Sequence, residues 1–567
     1  MATIFSLNIK NFRGIRELEH TFGDSKFVCL VGRGDSGKTT VLDAISFALN
    51  SNWNLQLSDN DFYKGDVNNP IEIEVTLVEV DQRLLQESRY GLHICCLSDD
   101  GMSVVQDVQD GSKKTLTILF KVGEDLEPKW YVTSKRPHQD DIEIKAADRA
   151  TFNVSLLSDY LDKHFTWGKG SPLSQLLKKE GASSGGSILL KEIRDLKEAV
   201  DETGFEHLNS VIETVKKCSQ RFGVNIENIK TSIDAKDLAI KDSRVVLHND
   251  SVPLRLSGKG TKRIMSAAIQ AELSQCGVML IDEIEQGLEP DRVKHLIRTL
   301  LCRKDEQIFI TTHSQHAIEE LEPENIFVVN NNSGKADIKQ FDAKEGEKFK
   351  AIFRSCPEAL YANKIIVCEG KTEIGFCRSI DKWRVDSGKK SMSAMGVVYI
   401  VGGGDEFNRR AQILKADTGK EVVVFCDSDK DEEISSPSKD GLRNQDIQVF
   451  DCAQGNNIEK QISVDLPWAG IVELCEYVLS SKKITNKDIK TYIKESTEID
   501  WSDEETADNR QAFFEASTYK KTKDKSWFKR IDHGEVLGDV CIKYFSELEQ
   551  TSGLKKLISE INDWVDC

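Results

Sequence analysis

Two sets of residues in this chain have the types and spacing to handle phosphate, and they differ in kind. The first is Gly32-Arg33-Gly34-Asp35-Ser36-Gly37-Lys38-Thr39, after the apolar run 26–31 and before a stretch of helical spacing from Thr40 to Asn50. A Gly-x4-Gly-Lys-Thr pattern between strand and helix is specific. Gly32, Gly34 and Gly37 let backbone N–H groups curl around phosphate oxygens, and the helix start, with Thr40 in it, adds its dipole. Lys38 supplies a point charge to the terminal phosphates and Thr39 a hydroxyl to Mg²⁺, so the ligand is a nucleoside triphosphate. Asp282, at the end of the apolar run 277–281, fits the second Mg²⁺ contact. Glu283 is placed to polarise an attacking water.

The second set is made of carboxylates. Residues 364–368 read as a strand ending at Glu369, with Glu373 four residues on, in the first turn of a helix. Residues 421–426 read as a second strand, followed by Asp427 and Asp429. Ligand groups gather at the C-terminal ends of parallel strands. Carboxylates converging there suit Mg²⁺ or Mn²⁺ through oxygen, and two such ions can activate water against a phosphodiester. Asp431 reads as a solvated turn charge, and Gly402-Gly403-Gly404 as a plain turn.

These residues need elements to hold them. The chain has 567 residues and a formal charge of −18, enough for three to four domains and too acidic for a general nucleic-acid coat. It begins without a signal-peptide pattern and contains no run of membrane-spanning length. Fourteen cysteines scattered without zinc-ligand spacing read as reduced thiols of the cytoplasm. Residues 3–10 and 71–80 read as strands, and 115–122 with 129–133 as an antiparallel pair. A Gly/Ser segment at 181–187 precedes one or two charged amphipathic helices, 188–222, read as a helical hairpin and as an arm for dimerisation. Residues 307–312 read as a strand ending at His313. Residues 325–340 read as the edge of this lobe, with a boundary between 340 and 362.

Ahead of Asp282 stands Leu254-Arg255-Leu256-Ser257-Gly258-Lys259-Gly260, and behind it Gly287-Leu288-Glu289-Pro290 and His313. This order resembles the ATP-binding-cassette (ABC) ATPases of the SMC and RecF type. The resemblance implies that Ser257, Gly258 and Gly260 cap ATP in a second copy and that His313 senses the γ-phosphate. Lys259 stands where that family usually has glycine, and Gln56 is only a weak glutamine-loop candidate. These departures imply slow hydrolysis or a switch.

The carboxylate set resembles the Toprim domain of topoisomerases, primases and nucleases. By that resemblance Glu459, after Gly455-Asn456-Asn457-Ile458, is a further metal ligand. In the basic-aromatic run Lys525-Ser526-Trp527-Phe528-Lys529-Arg530, which reads as a phosphate contact, Lys529 is the transition-state cation.

ABC ATPase followed by Toprim, with Ala359-Leu360-Tyr361-Ala362-Asn363-Lys364 between them, resembles the OLD (overcoming lysogenisation defect) nucleases, among them Gabija subunits and retron-associated effectors. The fold class implied is α/β. ATPase parts at 1–150 and 241–345 flank a helical dimerisation insert at 151–240, and a Toprim domain with a helical extension follows at 346–567. The implied activity is metal-dependent DNA cleavage under ATP control, in antiphage defence. The implied partners are DNA, a second or further copies, and a helicase or a retron reverse transcriptase with its noncoding RNA. The rival is a DNA-repair ATPase of SMC/RecF type whose Toprim lobe binds DNA without cutting.

Overall fold

In a computed structural model the chain folds into two compact units, Met1–Gly346 and Glu347–Cys567. The residues described are all except 1, 53–54, 107–110, 159–160, 168–170, 180–207, 227, 234–244, 275–276, 342–351, 354–355, 404–405, 429–438, 454, 482–488, 498, 503 and 519–526. The Gly/Ser segment, much of the presumed arm, Asp429 and Asp431 therefore lie outside the described residues.

In the first unit, strands β1 (Thr3–Phe12) and β2 (Ile15–Thr21) form a hairpin with Ile9 opposite Leu18. The next strand, β3 (Phe27–Val31), is buried along its whole length, as suits a central strand covered on both faces. The phosphate-loop sequence then leads into helix α1 (Lys38–Ala48). Strands β4 (Ile71–Val78), β5 (Lys114–Val122) and β6 (Lys129–Thr133) continue an antiparallel meander from β1. After β7 (Val154–Leu157) come helices α2 (Asn209–Arg221) and α3 (Lys259–Leu273). Then follow β8 (Val278–Ile281), α4 (Pro290–Leu301), β9 (Gln307–Thr311), β10 (Ile326–Asn332) and β11 (Lys335–Gln340).

One sheet runs in the order β7-β8-β9-β3-β10-β11-β2-β1-β4-β5 and ends in Cys95–Leu97 and Val104–Val105. The strands from β7 to β10 are mutually parallel. Their C-terminal ends bring Gly32, Asp282 and His313 to one rim. The hairpin 326–340, the last described pair of strands before the unit ends, sits in the middle of the sheet. It joins the parallel half to the meander, because β10 pairs with β3 and β11 with β2.

In the second unit, β12 (Lys364–Cys368), α5 (Lys371–Asp386), β13 (Val397–Val401), α6 (Phe407–Thr418), β14 (Glu421–Cys426) and β15 (Gln448–Asp451) alternate strand and helix. All four strands are parallel, in the order β13-β12-β14-β15. The order reverses between β12 and β14, opening a crevice at their C-terminal ends. Helices α7 (Ile458–Asp465), α8 (Trp468–Ser481), α9 (Ala507–Thr518), α10 (Ile531–Lys543) and α11 (Gly553–Asp566) complete the unit. Helix α10 packs against α5 at backbone distance. A Cβ on Gly534 would lie 2.5 Å from the Thr372 carbonyl, and one on Gly538 2.6 Å from Ser379 Cβ. This close approach brings the residues just before α10 to the start of α5.

No helix among the described residues is long and apolar enough to cross a membrane, and the described cysteines are free thiols.

Two histidines, His164 buried and His20 half-buried, make the first unit sensitive to acid. Burial pushes both His20 and His164 down to about 4, against about 6.5 in an unfolded chain. Each is held neutral in the fold, so its contribution is intact above about pH 6.5 and is lost as pH falls toward about 4. Urea titrations should lose roughly 2 kcal/mol per histidine across that window, and His20→Asn should remove one share of the loss.

Candidate functional sites

The residues expected to bind nucleotide converge as the strand order requires. Gly32, at φ +153, could carry no side chain, because a Cβ would lie 2.5 Å from the Val329 carbonyl. Gly37, at φ +98, caps α1. Lys38 is buried, and its Nζ donates to the carbonyls of Gly32 (2.9 Å) and Arg33 (2.8 Å). Burial pushes its ammonium down to about 8, against the pull of Asp282, Glu283, Asp35 and Glu285.

The Thr39 hydroxyl donates to Asp282, 3.1 Å from Oδ1 and 3.2 Å from Oδ2. Two hard oxygen donors from the loop and from the β8 end are therefore already together, which fits Mg²⁺ on a nucleotide. Thr311 Oγ1 donates to Asp282 Oδ1 at 2.6 Å and accepts from the Glu283 N–H at 2.7 Å. The imidazole of His313 is pushed down by burial and then by the Lys38 charge, so it feels the phosphate lysine. Gly34 is exposed, and Thr40 is half-buried on α1. Ser257 and Gly258 lie at the start of α3, Gly258 exposed at its N-cap and Leu256 exposed beside them. Gly260 packs on the turn after Glu283; a Cβ there would be 2.6 Å from the Gly287 carbonyl.

Two residues absent from the sequence reading belong to this site. Glu285 accepts from Thr312 Oγ1 and from the His313 N–H, both at 2.6 Å. Arg263, fully buried, donates to the Asp282 and Glu283 carbonyls. The repeat Asp282-Glu283-Ile284-Glu285 carried a signal for the first, since alternate residues at a strand end share a side. Arg263 carried none, because it stands in a run of basic residues that reads as a solvated helix start.

In the second unit the carboxylates cluster at the reversal of strand order. Glu369 follows β12, and its Oε2 accepts from the Asp427 N–H at 3.0 Å. Glu373 is buried in the first turn of α5 and accepts from the Gly370 N–H at 2.8 Å. Asp427 accepts from the Ile458 N–H at 2.9 Å, which draws the start of α7, and Glu459 with it, to the same place. Burial, then Glu373, Glu459 and Glu369, push Asp427 up to about 9. Burial, then Glu459 and Glu369, push Glu373 up to about 7.

Glu459 is fully buried. Its Oε1 lies 3.3 Å from Lys529 Nζ, and its Oε2 has no hydrogen-bond partner among the described residues. Among those residues no three His, Cys, Asp or Glu side chains are gathered closely enough to hold one ion together. The donor chemistry nonetheless fits a hard divalent cation: crowded carboxyl groups, two of them, Glu373 and Glu459, buried, and Glu459 with an orphaned oxygen.

Within the basic-aromatic run, Trp527 and Phe528 are fully buried core residues, so any phosphate contact falls to its basic residues. The reason is packing. The Phe528 carbonyl accepts from Thr372 Oγ1 at 2.7 Å, which ties the run to α5 and delivers Lys529 to Glu459. Lys525 and Ser526 lie outside the described residues.

Comparisons with known proteins bear on the first unit. Residues 3–169 match the family model described as "AAA ATPase domain", and residues 107–319 match "AAA domain, putative AbiEii toxin, Type IV TA system". A Helicobacter pylori protein described as an ATP/GTP phosphatase is 24% identical over 352 residues, 56% of this chain and 87% of that protein. Among solved structures, the Smc head domain of Pyrococcus furiosus bound to the C-terminal domain of ScpA is 15% identical over 62% of this chain and 100% of its own, with a TM-score of 0.37. The recombination mediator RecF with ATP is 15% identical over 59% of this chain and 99% of its own, with a TM-score of 0.35. The chain carries an ATP-binding ATPase domain of the AAA type.

Proposed function

We propose that this chain is an ATP-regulated, divalent-metal-dependent DNA endonuclease resembling the OLD family, with a Toprim domain in its second unit. The observation that carries the reading is the carboxylate cluster Glu369, Glu373, Asp427 and Glu459, at the reversal point of a parallel sheet ordered β13-β12-β14-β15. Asp429 joins the set by its place two residues after Asp427. Bound there, Mg²⁺ or Mn²⁺ would activate water and offset charge on the leaving oxygen of a phosphodiester.

The chain's own residues prepare that site. Backbone N–H groups of Gly370, Asp427 and Ile458 fix the orientation of three carboxylates. Lys529 supplies a cation beside Glu459 for a phosphate oxygen. In the first unit, Lys38, Thr39 and Asp282 hold Mg-ATP, and Glu283 polarises water. Ser257, Gly258 and Gly260 close over the nucleotide of a second copy, so the working form is a homodimer or larger. DNA is the substrate, antiphage defence the role, the cytoplasm the place. A helicase or a reverse transcriptase with its noncoding RNA is a candidate partner.

The test is plasmid nicking with Mg²⁺ or Mn²⁺, with and without ATP, for wild type, Glu369→Ala and Lys38→Ala. Wild type is expected to nick, Glu369→Ala to lose nicking, and Lys38→Ala to lose its response to ATP. Wild type that binds DNA but nicks with neither metal would instead make this a DNA-repair ATPase with a non-cleaving second unit. Nicking by Lys38→Ala with an unaltered ATP response would end the coupling.

A further inference from the structure

Arg263 is among the largest fully buried side chains of the protein. Its neighbour Lys262 meets Asp162 at the surface, 3.0 Å away, whereas Arg263 points inward. The guanidinium spans the turn 282–286 and the end of the segment before it in the sheet, at Ser158. Nη2 donates to the Asp282 and Glu283 carbonyls, the latter at 2.8 Å; Nη1 donates to the Ser158 carbonyl at 3.3 Å and to Gln286 Oε1 at 3.4 Å. Desolvating such a cation costs several kcal/mol, a cost offset where carbonyl dipoles converge on it.

What Arg263 grips is an unusual backbone. Glu283 has φ +45, the left-handed region, which costs a residue other than glycine about 1–2 kcal/mol. Its N–H donates to Thr311 Oγ1 at 2.7 Å and its carbonyl accepts from Arg263. The peptide is thus pinned on both sides. The conformation turns the Glu283 side chain away from the direction an extended strand end would give it.

We propose that Arg263 is the positioning residue for ATP hydrolysis, holding Glu283 in this left-handed conformation and so aiming its carboxylate at the attacking water. The inference rests on the reading of Glu283 as the group that polarises that water. In the step served, the water oxygen bonds to the γ-phosphorus and a water proton passes to Glu283. The bond from the γ-phosphorus to the bridging oxygen breaks, its electron pair leaving with ADP. Because Arg263 and Gly260 both join α3 to the turn 282–287, a shift of the Ser257–Gly258 end also shifts the aim of Glu283.

The experiment is steady-state ATP hydrolysis by the full chain, with binding of a fluorescent ATP analogue and thermal melting as controls. The variants are Arg263→Ala, Arg263→Lys and Glu283→Gln. Arg263→Ala should keep its affinity for the analogue and its KM while kcat falls roughly 100-fold, the scale of a misplaced catalytic group. Added guanidinium ion should restore part of that loss. Arg263→Lys should stay low, because an ammonium cannot fork across two carbonyls. Wild-type kcat in Arg263→Ala, or equal loss of ATP binding and turnover without guanidinium rescue, overturns the proposal. If Arg263→Ala does not fold, Arg263→Lys is judged by the same split between kcat and KM. Glu283→Gln with full turnover would instead overturn the role of Glu283, whereas a dead Glu283→Gln beside a fully active Arg263→Ala overturns the positioning role alone.

Discussion

Replacing Asp427 by Asn should cut metal-dependent nicking at least ~100-fold, more than the loss of an outer-shell partner costs a metal site, and should raise the melting temperature of the metal-free protein. The two effects have one cause. Asp427 is half-buried with Glu373, Glu459 and Glu369 around it, and desolvation first, those carboxyl groups second, oppose its charge. Yet its orientation is fixed by the Ile458 N–H, and Glu369 is fixed in turn by the Asp427 N–H. The backbone holds together carboxyl groups that cannot all ionise, so without metal Asp427 keeps its proton at neutral pH, and a divalent cation would take the place of that proton. Asparagine keeps an Oδ1 for Ile458 and removes the cost of holding protonated, at neutral pH, an acid that ionises in the unfolded chain. The gain in metal-free stability is on the order of 1 kcal/mol, the worth of a single pKa unit. Mn²⁺ should raise the melting temperature of wild type in a concentration-dependent way, and Asp427→Asn should blunt that rise. Calorimetry in chelator and in graded Mn²⁺ checks both. A variant that loses nicking yet keeps the full Mn²⁺ shift would place the bound ion elsewhere.

The parts of this picture legible in the sequence are local ones. β3 and β12 are short apolar runs with a chemically loaded tip, and periodicity with the following turn was enough to place Lys38 and Glu369. What periodicity does not hold is pairing. The hairpin 326–340 reads as the edge of its lobe, and nothing in its spacing says that β10 lies between β3 and β11, through contacts formed across about half the chain. Arg263 and the pair Trp527-Phe528 fail in opposite directions. A buried guanidinium is coded like any solvated helix cation, and its carbonyl partners come from segments distant in sequence. Two core aromatics beside lysines are coded like a nucleic-acid platform, and only the glycine contact of α10 on α5 reveals that they face inward. Lys529 and Glu459 each stand out by residue type, but that they meet follows from the Thr372–Phe528 bond, which no spacing announces.

Lys38→Ala should abolish ATP binding without lowering the stability of the nucleotide-free protein. In the fold, the Lys38 ammonium is lodged among loop carbonyls, and burial pushes it down to about 8, against about 10.4 in an unfolded chain. Between those values the unfolded chain binds more protons, so stability rises with pH there, and at neutral pH the charged lysine opposes folding. Removing it forfeits three donors to phosphate while relieving that penalty. The melting temperature without ATP should therefore hold or rise, and the ATP-induced shift should vanish. The same protonation governs affinity in wild type. Below about pH 8 the ammonium is present to meet the phosphates; above it, ATP affinity should fall by up to about tenfold per pH unit, until bound phosphate restores the proton. Binding titrations from neutral to alkaline pH, run beside Lys38→Ala, check this. Wild-type affinity that stays flat through that range would mean the phosphates alone set the charge of Lys38, and that the carbonyl cradle contributes nothing to the affinity.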